Sequence, residues 1–165
     1  MHPNLLSLIL FCFVMSCTPG PNNILASYSG FNFGLKKTIP LILGVASGYT
    51  SMIAALNFGL IFVFKQYPSI QEILKILGSC FLIYLAYKIS FSNSKSGNLV
   101  NSPVKFLDTY LFQFVNPKGV LVAIITISTF VDAINHYLLH SLWVIGVSFF
   151  FACLSISFWS FLGKF

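Results

Sequence analysis

Two short runs in this chain hold residues that a plain hydrophobic helix does not tolerate. The first is Thr18-Pro19-Gly20-Pro21-Asn22-Asn23, inside an otherwise apolar stretch. Pro19 and Pro21 have no N–H to offer the carbonyls of Met15 and Cys17, and Gly20 loosens the backbone between them. The second is Gln113-Phe114-Val115-Asn116-Pro117-Lys118-Gly119, where Pro117 releases the carbonyl of Gln113 and a lysine lies within an apolar segment. In lipid a freed carbonyl needs a partner, so breaks of this kind face protein or a wet cavity. The chemistry they offer is recognition of a zwitterion. A helix restarting near Asn22 aims its positive end at a carboxylate, and freed carbonyls can receive an ammonium. The amides of Asn22, Asn23, Gln113 and Asn116 both donate and accept. Structural readings compete with this one: a simple kink at the first break, and at the second a capped helix start whose Lys118 snorkels to the interface. Two prolines, a glycine and two asparagines together are more than a kink requires.

The elements that carry these runs follow from composition. Of 165 residues, 57% are hydrophobic and 7% charged, against roughly 25% charged in soluble domains. Leu5 to Leu35, Thr38 to Phe64 and Leu138 to Gly163 contain no Lys, Arg, Asp or Glu, and each exceeds the ~20 residues a helix needs to cross a bilayer. They do not alternate as barrel strands do. The fold class expected is all-α, a polytopic membrane protein with five spans: Leu5–Tyr28, Ile39–Phe64, Ile70–Tyr87, Tyr110–Val131 and Leu138–Leu162. Ser90 to Pro103 reads as a polar loop. The apolar start lacks the basic leader of a signal peptide and continues past any cleavage site, so it reads as a retained helix.

The net charge of +6 comes from nine lysines, no arginine and three acids. These lysines are too sparse to track nucleic-acid phosphates and instead mark topology. Lys36, Lys37, Lys88, Lys95, Lys105 and Lys164 fall on one side, which the positive-inside rule makes cytoplasmic, with the N-terminus outside. Tyr67, Tyr137 and Trp143 would anchor the outer interface, with His136 and His140 outside or beside it.

The two breaks lie in spans one and four, which cross the bilayer in opposite directions. Interrupted segments at matching positions of two halves point to an inverted-repeat transporter with its substrate site between them. The expected halves are 1–89 and 110–165, joined by a cytoplasmic loop over 90–109. Gly44-Val45-Ala46-Ser47-Gly48 offers a small-residue face for close packing, and the hydroxyls of Tyr49, Thr50 and Ser51 follow at mid-depth. The candidate binding set is Thr18, Pro19, Gly20, Pro21, Asn22, Asn23, Tyr49, Gln113, Asn116, Pro117 and Lys118. Cys12, Cys17, Cys80 and Cys153 have no ligand-like spacing and read as apolar fillers, so neither a metal nor a cofactor is expected. Glu72, Asp108 and Asp132 sit near segment ends and form no paired-carboxylate or Ser/His/Asp arrangement, which argues against an enzyme.

At both breaks the chain resembles the bacterial LysE/RhtB family of amino-acid exporters. Thr18-Pro19-Gly20-Pro21-Asn22-Asn23 is similar to the family's first-helix signature, and Phe114-Val115-Asn116-Pro117-Lys118 to its fourth-helix counterpart. Residues 18–26, 85–89, 113–118, 128–131 and 143–148 resemble the branch that exports cysteine and O-acetylserine. The resemblance implies a secondary transporter of the inner membrane with about six helices in a 3+3 inverted arrangement, driven by the proton gradient. It implies export of small neutral amino acids of the cysteine/O-acetylserine or homoserine/threonine class. The chain ends after five expected spans, so the last helix of that pattern is expected to be missing. The alternative reading is therefore a truncated, non-transporting remnant or an assembly partner, and the sequence leaves room for a homo-oligomer.

Overall fold

A computed structural model describes residues 4–60, 103–131 and 136–164, with isolated positions between 66 and 83. The third expected span and most of the 90–109 loop lie outside the described residues. Every element among those described is helical.

Helix α1, Leu5–Cys17, stops at Thr18, whose backbone N–H and Oγ1 both donate to the carbonyl of Val14. The chain is extended at Thr18 and at Gly20, then restarts as α2, Pro21–Ala55. Pro21 occupies the first turn, where a missing N–H has no helical partner to lose.

By length alone, 21–59 would count as one 39-residue span. The side chains show otherwise. Ser29 and Thr38 would stand about 13 Å apart on a straight helix, yet their hydroxyls meet at 2.9 Å. Leu25 and Ala26 share one core cluster with Leu41 and Val45. The reversal is at Gly34, with φ 75° and ψ 166°, a conformation essentially reserved for glycine. A β-carbon there would meet open space, so the requirement is conformational and not steric. Helix α2 is therefore a hairpin of two legs, 21–33 and 35–55. The first leg with α1 makes the first expected span, broken in the middle. The second leg is the second span, and it passes into a π-helical turn, Leu56–Leu60.

Helices α3, Phe106–Val115, and α4, Pro117–Phe130, form the fourth span, bent by 64° at Asn116. It begins at Phe106 rather than near Tyr110, so helix takes over the end of the segment read as loop. Helix α5, Tyr137–Leu162, is the fifth span, long enough at about 39 Å to cross the hydrocarbon.

Helix α5 lies along α2, and α3 packs on the second leg of α2. Gly44 and Gly48 sit directly against the backbone of Phe106 and Tyr110, where a β-carbon would overlap the opposing chain. Both pairs are one turn apart, the small-residue spacing that lets helices approach closely in lipid. Leu8, Met52, Ile53, Leu56, Ala123 and Val144 form the larger apolar core. Leu6, Phe31, Leu111, Leu142 and Phe150 are exposed on the outside, as expected of a protein solvated by acyl chains. Polar groups instead collect within, among them Asn23, Gln113, Asn116, Ser148 and Ser155.

Two residues expected at or beside the outer interface also make contacts within the protein. His140 is 5% exposed, and the Tyr137 hydroxyl donates to the carbonyl of Asn57 at 2.7 Å.

Candidate functional site

The two breaks meet inside the molecule. Each is built in the same way: a helix ends, one or a few extended residues follow, and a new helix starts on proline. Gly20 caps the leg that begins at Pro21, and Asn116 caps α4 at Pro117, its Oδ1 accepting from the N–H of Gly119 at 3.4 Å. Pro117 frees the Gln113 carbonyl, which the N–H of Asn116 takes up at 3.3 Å.

The residue after each restarting proline reaches across to the other break. Asn22 donates to Gln113 Oε1 at 2.8 Å, and Gln113 Nε2 donates back to Asn22 Oδ1 at 3.1 Å. Lys118 Nζ donates to the carbonyl of Thr18 at 2.6 Å. The aliphatic stem of Lys118 runs over the backbone of Gly20, where a β-carbon would come within 2.9 Å of its Cδ. Freed carbonyls of the first break are also occupied. Asn23 Nδ2 donates to Ser16 and Thr18, each at 3.0 Å, and the Ser155 hydroxyl donates to Ser16 at 2.7 Å.

A cavity of about 80 Å³ opens at this crossing. Of the candidate set, Gly20, Pro21, Asn22, Asn23, Tyr49, Asn116 and Lys118 line it. The others stand behind the wall. Gln113 is fully buried and holds Asn22, with its own Nε2 also donating to the carbonyl of Thr109 at 2.8 Å. Thr18 contributes its carbonyl, Pro19 is exposed at the turn, and Pro117 starts α4. Thr50 is tied to its own helix at the Ala46 carbonyl, and neither it nor Ser51 lines the cavity.

Sequence reasoning missed the remaining wall: Cys12, Met15 and Ser16 on α1, Val45 on α2, Gly119 and Val122 on α4, and Ser148, Ala152, Ser155 and Ile156 on α5. A signal was present. Ser141, Ser148 and Ser155 recur every two turns, with Ala152 between the last two, so one stripe of α5 carries small hydroxylated residues. Cys12, read as a filler, is buried with its Sγ 3.9 Å from the hydroxyl of Ser148.

The electrostatics are dipolar. Two helix N-termini and Lys118 give one part of the wall positive character. The carbonyls of Ser16 and Thr18 supply the opposite sign nearby. Among the described lining residues Lys118 is the one basic side chain, and none is acidic. Such a wall suits a small molecule with a carboxylate and an ammonium on one carbon.

The family model described as LysE type translocator matches residues 13–165. The chain is 32% identical over 152 residues to proteins named cysteine/O-acetylserine efflux protein from Escherichia coli O1:K1, Escherichia coli strain K12 and Shigella sonnei, covering 90% of this chain and 75% of each relative. No solved structure matches. With broken, proline-started spans meeting at one cavity and a match to the family model over nearly all its length, this chain belongs to the LysE type translocators, a family of polytopic membrane proteins.

Proposed function

We propose that this chain is a secondary transporter that exports small neutral amino acids of the cysteine and O-acetylserine kind across the bacterial inner membrane. The observation that carries the reading is the crossing of the two breaks. It brings Lys118, two helix N-termini and the carbonyls of Ser16 and Thr18 to one cavity. A carboxylate takes the place of the Thr18 carbonyl at Lys118 and gains a charge-assisted bond. The ammonium then finds the carbonyl that Lys118 leaves.

Neutrality of the rest of the substrate follows from the wall. A second ammonium at this depth needs a carboxylate partner, and the described lining has none. The relatives' names point the same way. The family resemblance supports the proton gradient as the driving force, and a carrier role in place of enzyme chemistry. The two sequence halves, 1–89 and 110–165, act as inverted partners, each supplying one break. They do not work as separate bodies, because α5 of the second packs along α2 of the first.

Uptake of labelled cysteine and O-acetylserine into inverted membrane vesicles tests the reading, since export from a cell is uptake into such vesicles. Accumulation above vesicles lacking the protein is the expected result. No accumulation of any neutral amino acid at normal membrane abundance would leave the non-transporting assembly partner.

A further inference from the structure

The cavity has two ends. Ser155 is bonded to the Ser16 carbonyl at 2.7 Å, so this part of α5 lies level with the first break and Lys118. Ser148 lies two turns back along α5, about 10 Å away, and faces Cys12, one turn back from Ser16 on α1. Met15 and Ala152 lie between these levels and also line the space.

We infer that the Cys12–Ser148 end is the subsite for the substrate's side chain, and that its length and polarity set which neutral amino acids are carried. This rests on the exporter reading above. With a carboxylate and ammonium held at the break, the cavity continues along α1 and α5 toward Cys12 and Ser148, which gives the side chain a direction to follow. That end offers a thiol and a hydroxyl at 3.9 Å, a weak pair because sulfur is a poor hydrogen-bond partner. A substrate hydroxyl, thiol or ester oxygen replaces the sulfur at little cost and gains the Ser148 hydroxyl. Charged side chains meet no counter-charge there. Size discriminates as well. A cavity of about 80 Å³, at roughly 10–15 Å³ for each water-sized group, holds about five to eight such groups, which cysteine with seven non-hydrogen atoms nearly fills and O-acetylserine with ten exceeds, so the larger substrate needs the Cys12–Ser148 end and some yielding of the wall.

The experiment compares cysteine and O-acetylserine uptake by inverted vesicles carrying Cys12→Val, Ser148→Val, Cys12→Ala or Ser148→Ala, at matched abundance. The valine variants shorten the subsite and should lower O-acetylserine uptake about tenfold relative to cysteine. Cys12→Ala, which lengthens the subsite, should move that ratio the other way, whereas Ser148→Ala removes the hydroxyl offered to the side chain and should lower O-acetylserine uptake more than that of cysteine, whose thiol is the weaker acceptor. Equal changes for both substrates in all four variants would overturn the inference.

A binding readout separates this from failure of the exporter reading. With Cys17, Cys80 and Cys153 replaced by serine, O-acetylserine should slow modification of Cys12 by methyl methanethiosulfonate. Protection without transport would keep the subsite and sink the exporter reading. Transport without protection would sink the subsite alone.

Discussion

Lys118 is anchored at both ends of its side chain, its stem over Gly20 and its Nζ on the Thr18 carbonyl. Replacing it with methionine keeps the length and removes the charge. The expected outcome is a rise in the export KM of about ten- to a hundredfold, with unchanged insertion, read from concentration-dependent vesicle uptake. Asn22→Leu and Asn116→Leu act differently. Asn22→Leu breaks a reciprocal amide pair and leaves Gln113 buried with an unpaired acceptor, and Asn116→Leu removes the cap of α4. Both should abolish uptake while the protein still reaches the membrane, since each change makes the span more apolar; normal transport by both would reduce the breaks to kinks. The residue types at these breaks were legible because proline, glycine and asparagine are costly in lipid unless used. Gln113's place behind the wall was not legible. Sequence gives the amide but not whether it faces a ligand or another amide, and here Asn22 claims it.

Among the elements, the first, second and fifth spans were readable from charge-free length, whereas the crossing of the breaks was not. The first span's interruption and the second span's start both follow from composition, yet the reversal between them is a matter of one backbone angle pair at Gly34. Lys36 and Lys37 beside it are exposed, which marks the turn as a place the chain can leave the apolar layer. The α5 wall was missed because serines spaced two turns apart read equally well as packing until a partner helix is known. Packing itself yields a prediction. Gly48→Ile forces a branched side chain against the Tyr110 backbone, which should cost about 1–3 kcal/mol. It should appear as a lower melting temperature of the purified protein in detergent, and an unchanged melting curve would mean that the two helices are not held at this distance.

For the whole molecule, orientation is the first quantity to measure. In a chain with its native cysteines replaced, a cysteine at His136 should react with an impermeant maleimide added from the periplasm, and one at Lys37 should not. The reverse labelling pattern would invert the topology while leaving spans one and four antiparallel. The solitary charge at the crossing has an electrical consequence. A zwitterion adds nothing to the net charge of the cavity, so among the described lining residues the loaded and empty carriers bear the same charge, that of Lys118. Moving that charge outward in one half-cycle and back in the other cancels over a complete turnover. Under the proton coupling proposed above, any steady current through this protein therefore belongs entirely to the coupled protons. At about 2.3 kcal/mol per charge for each 100 mV, the voltage at which net flux reverses at fixed substrate and proton gradients would count those protons, and a flux indifferent to voltage and to the proton gradient would overturn the proposed coupling.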